Sequence, residues 1–159
     1  MAPRRHASGA PFLVWSRLLT ALEIRAFRAS DTVAVIALWR LCDLVRPWND
    51  PRRDIERKLL VQPELFLVGE EGQTLVGSVM AGYDGHRGWV NYLAVHPDHQ
   101  RRGYGRRLMA AAEERLRLAG CPKINLQVRS SNAEVLAFYD SLGFGRDDVV
   151  SLGKRLVED

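Results

Sequence analysis

An apolar run, Val90, Asn91, Tyr92, Leu93, Ala94 and Val95, is followed after a short loop by Gln100, Arg101, Arg102, Gly103, Tyr104, Gly105 and Arg106, which open a long helical pattern. Strand, glycine-bearing turn and helix start in that order commit this stretch to an α/β arrangement and build a cradle for an anion. A helix start leaves its first backbone N–H groups without partners and carries roughly half a unit of positive charge. Glycines there let backbone come close to a ligand. The third glycine of a dinucleotide-binding G-x-G-x-x-G would fall at Leu108, and no G-x-x-x-x-G-K-[ST] occurs in the chain, so the nicotinamide and nucleoside-triphosphate readings lose support. The pattern left standing is [QR]-x-x-G-x-[GA]. A tight turn without a ligand is the alternative, and residues further along decide between the two.

A second apolar run over 124–128 precedes Asn132, a natural N-cap for the helical pattern Ala133, Glu134, Val135, Leu136, Ala137, Phe138, Tyr139. Asn132 and Tyr139 are seven positions apart, close to two turns, which sets both on one helix face. Gly143 ends the helix. With its phosphate turn and its later Asn-then-Tyr helix closing in Leu142, Gly143, Phe144, the chain resembles the GNAT superfamily of N-acyltransferases. The resemblance runs from Glu23 to about Asp159. Within the superfamily, RPWNDP at 46–51, DGHRG at 84–88 and SLGKRL at 151–156 look like the YpeA-type bacterial acetyltransferases.

The resemblance implies an acetyl-CoA-dependent enzyme that transfers an acetyl group directly to a primary amine of a small molecule or protein, without a metal. Its pantetheine arm would lie along Leu93, Ala94 and Val95 as an added strand does. Its pyrophosphate would take the N–H groups of Arg101, Arg102, Gly103, Tyr104, Gly105 and Arg106, and Asn132 would reach the pantetheine amides. A bare helix cap is the other reading of Asn132. Attack on a thioester needs an oxyanion donor, a neutral amine and a proton for the departing thiolate. The resemblance assigns the first to backbone N–H near Val95. It assigns the last to Tyr139, since a phenol with pKa near ~10 can protonate a thiolate whose acid lies near ~8.5.

The base is less defined. Related ribosomal-protein N-terminal acetyltransferases carry a Glu five positions ahead of the Asn, and Gln127 stands there in this chain. An amide cannot accept the proton, which opens a second reading, a non-catalytic CoA-binding or regulatory module. His86 is the leading candidate base because its unperturbed pKa, about 6.5, is the most suitable; Asp84, Glu70 and Asp50 are others. The 46–51 loop and the 84–88 turn are expected to rim the acceptor pocket, with Trp48 as a wall, Arg46 or Arg87 as a carboxylate holder and Asp84 on the rim.

Composition bounds these readings. The chain has 159 residues, 47% hydrophobic, enough for one domain with its own core. Cys42 and Cys121 fit neither a disulfide framework nor a zinc site, and His96 and His99 lack a third metal partner. No run approaches the roughly 20 apolar residues of a membrane span, so a soluble protein without membrane partners is expected; a cytoplasmic location is expected from the implied CoA requirement and the lack of a convincing export signal. The formal charge of +4 owes much to Arg4, Arg5 and Arg17; without them 20 basic residues face 19 acidic ones, a net of +1. The dense basic cluster is the phosphate turn itself, which argues against nucleic acid as a partner. A homodimer stays an open option.

Residues 1–22 form an extension that is disordered, adds a helix or reflects a misassigned start, with the N-acetyltransferase domain over 23–159. Strands are expected at 22–27, 65–69, 74–83, 88–95, 123–128 and 149–156. Helices are expected from Ser30 or Asp31, toward Leu60, at 105–119 and at 132–142. That order indicates a three-layer α/β/α domain with a mixed central sheet, which in the GNAT fold is splayed.

Overall fold

The computed structural model describes residues 21–159; the extension expected over 1–22 lies outside them except for its last two residues. Strand β1 (Glu23–Ala26) leads through a short 3-10 turn into helix α1 (Thr32–Leu41), and helix α2 (Pro51–Leu59) follows the 46–51 loop. Strands β2 (Phe66–Glu71), β3 (Thr74–Tyr83) and β4 (Gly88–Val95) come next. Helix α3 (Tyr104–Leu118), strand β5 (Ile124–Leu126) and helix α4 (Ala133–Ser141) complete the order. The sheet order is β1-β2-β3-β4-β5, antiparallel except for the parallel β4–β5 pair, hence mixed as expected.

Period-2 alternation buries both faces of this sheet. Phe66, Val68 and Met80 meet Val35, Ile36, Trp39 and Ile55 of α1 and α2. Leu67, Val79, Ala81 and Val90 meet Leu108, Met109 and Leu116 of α3 and Tyr139 of α4. Two helix layers thus sandwich the strands, and Leu22 already belongs to the packing: it is 2% exposed and its carbonyl accepts from Arg107 at 2.7 Å.

Caps explain several boundaries. Asp50 opens α2 by accepting from the Arg52 N–H at 2.9 Å, with Pro51 in the first turn where a missing N–H costs nothing. Asn132 does the same for α4, accepting from Val135 at 3.2 Å.

The expected closing strand at 149–156 does not form. Its adjacent valines, Val149 and Val150, break the alternation, Gly153 interrupts it, and β5 offers an edge only three residues long. Val149, Val150 and Leu152 are accordingly 77%, 84% and 90% exposed. Strand β5 is also shorter than the expected 123–128.

Candidate active site

The β4–β5 ladder holds only Gly88–Ile124, Trp89–Asn125 and Val90–Leu126. Beyond it β4 runs on to Val95, so residues 91–95 have no strand partner on that side among the described residues. In this open half the register against β3 slips between Ser78 and Met80, and Tyr92 adopts φ 50°, a bulge that turns the strand. The bulge is pinned from within the core. Ser78, fully buried, donates to the Tyr92 carbonyl at 2.9 Å and accepts from Trp39 Nε1 at 2.9 Å. Leu93, Ala94 and Val95, the expected cofactor strand, lie in this open half.

The open half leads to the start of α3. Arg101 (φ 64°) and Gly103 (φ 78°) both lie in the left-handed region, where Gly103 as N-cap is unstrained. Backbone N–H groups of Arg101, Arg102, Gly103, Tyr104, Gly105 and Arg106 have no acceptor among the described residues; the first bonded amide is Arg107, to the Gly103 carbonyl at 3.1 Å. A Cβ at Gly105 would stand 3.2 Å from Phe138 Cζ, so this glycine lets α3 and α4 converge beside the turn. The cradle is braced through Glu71. Its carboxylate accepts from Tyr104 Oη at 2.7 Å and faces His99 Nε2 at 3.6 Å and Arg102 at 3.5 Å. Arg106 turns to the Ser141 carbonyl at 3.4 Å and Arg107 to Leu22, which leaves Arg101 as the cluster's arginine without a partner among the described residues.

Tyr139 sits on the same side of the sheet, 9% exposed, in edge contact with Phe138 and Phe144. It lines a cavity of about 1000 Å³ with Leu126, Gln127, Val128 and Leu136. Burial pushes its phenol up to about 12, so it keeps its proton throughout the neutral range. Asn132 spends its side-chain oxygen as the α4 cap, while its amide nitrogen has no partner among the described residues.

The structure sets the other expected residues apart. Asp84 Oδ1 accepts from the His86 and Arg87 N–H groups, both at 2.7 Å, and these bonds hold its carboxyl below the usual range. That turn, with the exposed His86, stands at the paired end of β4; three ladder rungs lie between it and the open half. Arg46 pairs with Asp43 at 3.0 Å. Trp48 is 56% exposed at the surface of its loop.

A cluster that sequence reasoning missed does stand at the open half. Tyr92 stacks on Trp39 with ring centroids 3.8 Å apart and donates to Asp54 Oδ2 at 2.5 Å. Asn49 donates to Asp54 and lies 3.2 Å from Tyr92 Oη, and Arg57 pairs with Asp54 at 3.2 Å. Burial and the Asp54 charge push the Tyr92 phenol well up. The available signal was Asn91-Tyr92 breaking an otherwise apolar strand; the bulge that directs Tyr92 toward α2 has no sequence signature.

Known proteins share this fold. The model of the acetyltransferase (GNAT) family matches residues 32–144. An acetyltransferase of Pectobacterium atrosepticum is 54% identical over 138 residues, covering 87% of this chain and 98% of the relative. Ard1 from Thermoplasma volcanium is similar in structure, with TM-score 0.68 and 25% identity over 79% of this chain and 83% of that one. Aminoglycoside N-acetyltransferase AAC(6')-Iy, solved in complex with CoA, superposes with TM-score 0.70 at 17% identity, covering 86% and 96%. The chain belongs to the GNAT acetyltransferase family. It is an acetyltransferase.

Proposed function

We propose that the chain transfers the acetyl group of acetyl-CoA directly to a primary amine. The observation that carries this reading is the β5-facing edge of β4 beyond Val90, which has no strand partner among the described residues and runs into a turn whose amides have no acceptor among them. An extended amide-bearing arm pairs with such an edge as an added strand, and a pyrophosphate suits amides at a helix start. Leu93, Ala94 and Val95 hold the arm; Arg101, Arg102, Gly103, Tyr104, Gly105 and Arg106 hold the phosphates; the free amide nitrogen of Asn132 is a further donor. Acetyl-CoA supplies an activated acyl group and a thiolate leaving group.

Tyr139 is the proton donor in this reading: its raised pKa keeps Oη protonated through the neutral range, so the phenol can give its proton to the departing thiolate, and the phenoxide left behind, the stronger base, takes a proton back from solvent. For the amine's proton, the Tyr92–Asp54 pair is nearer the open half than His86: Tyr92 Oη can take a proton while passing its own to Asp54. His86 would need a water chain from the closed end of the sheet.

The test is CoA release from acetyl-CoA over a panel of amines, amino acids and N-terminal peptides. Tyr139→Phe is expected to lower kcat by roughly a hundredfold, the usual scale for a lost acid, with acetyl-CoA affinity unchanged; an unaffected rate removes Tyr139 as the acid. Tyr92→Phe keeps the stack on Trp39 but loses the relay, and is expected to lower kcat roughly tenfold or more. An unchanged rate returns the proton to His86 or to solvent.

A further inference from the structure

The tail beyond α4 crosses the molecule. Gln127, just past β5, donates to Ser151, and eight residues later Asp159 reaches α2. There the Asp159 carboxylate takes two hydrogen bonds from the Arg57 guanidinium, one of 3.3 Å from Nη1 and a shorter one from Nη2, and a third from the Asp50 N–H at 3.2 Å. Arg53 fixes the neighbouring Glu158 carbonyl at 3.4 Å. The Asp159 side chain is 2% exposed although its backbone lies at the surface.

Four further points bear on the Asp159 site. A guanidinium fork plus a backbone N–H beside a helix start is a carboxylate receptor. Helix α2 carries Arg52, Arg53, Arg57 and Lys58 against Asp54 and Glu56, a local surplus of positive charge. Between Arg57 and tail residues 153–157 lies an open groove of about 670 Å³. The receptor is wired to the open half of β4: Arg57 bonds Asp54, and Asp54 bonds Tyr92 at the bulge.

We propose that Arg57 and the Asp50 amide form a carboxylate subsite of the acceptor pocket, occupied in this structure by Asp159, and that the acceptor is a small amine bearing a carboxylate. This rests on the amine-acetylation reading above. The tail competes with the acceptor, and Arg57 discriminates amino acids from plain amines. Sequence reading had placed the carboxylate holder at Arg46 or Arg87; Arg46 is committed to Asp43, and Arg87 bonds the His86 carbonyl in the distant turn.

The experiment measures CoA release from the full chain with matched pairs: phenylalanine and phenethylamine, lysine and cadaverine, 4-aminobutyrate and butylamine. At least one carboxylated member is expected to exceed its partner in kcat/KM by about tenfold or more, the scale of one charge-assisted pair. Asp159→Asn vacates the subsite and is expected to lower KM severalfold for that carboxylated amine alone. Arg57→Lys keeps a charge near Asp54 but loses the fork, and is expected to erase the preference. Equal turnover of both members in all three proteins overturns the subsite and leaves acetyl transfer intact. Acetyl-CoA binding with turnover confined to peptide N-termini, or with none, overturns it likewise. Failure to bind acetyl-CoA overturns the proposed function as well.

Discussion

Ser78 shows how much a single buried hydroxyl decides. It satisfies the Trp39 indole N–H and the Tyr92 carbonyl at the point where β4 bulges, in the middle of an apolar strand. Ser78→Ala leaves the Trp39 donor buried and unpaired, and is expected to cost about 1–3 kcal/mol in urea unfolding. Because the bulge holds Tyr92 against Asp54, the same variant is expected to lower turnover; wild-type stability together with wild-type turnover would show that the bulge stands without Ser78. At this scale the positions of Tyr139 and Asn132 on α4 and of Gly103 and Gly105 at the start of α3 were legible, since each is tied to helix spacing or capping. Tyr92, Asp54 and Arg57 were not, because contacts between β4 and α2, some 38 residues apart, leave no periodic trace.

Elements followed their sequence where capping and alternation agree. The Asp50 and Asn132 caps and the two-faced alternation of β2 to β4 put strands and helices within a residue or two of expectation. The missing closing strand and the shortened β5 are where pattern alone misled: a strand needs a partner edge, and the ladder beyond β4 is short. The β1–α1 junction is held by Arg25, which donates to Asp31 at 2.8 and 2.9 Å and pairs with Glu70. The Arg25 guanidinium, helped by the Arg28 N–H, holds the Asp31 carboxyl below its ordinary value. A depressed folded-state pKa stabilises above the unfolded value, about 3.9, and that stabilisation is lost as pH falls through the folded one. Asp31→Asn is therefore expected to destabilise the chain by about 1–3 kcal/mol at pH 7 and to converge on wild type in strong acid. A constant difference across that pH range would contradict the assignment.

For the molecule as a whole, two cores on opposite faces of one sheet leave, among the described residues, an opening where β5 stops short and β4 continues. Layer order and mixed sheet could be read from the alternation of apolar runs and helical patterns. That the open half is tied through Tyr92, Asp54 and Arg57 to Asp159 could not, because those contacts join residues 38 and 102 positions apart.

The central claim is that the open half of β4 and the amides after Gln100 form the acetyl-CoA site. Calorimetric titration of acetyl-CoA into the wild-type chain and Gly103→Val tests it most directly. A β-branched residue at φ 78° must move the turn, yet a Cβ there meets nothing within 4 Å, so the core is untouched. The expected result is saturable binding by wild type and affinity reduced about tenfold or more in the variant, as 1–3 kcal/mol of backbone strain implies, with little change in unfolding temperature. Equal affinity in the two proteins would contradict the account.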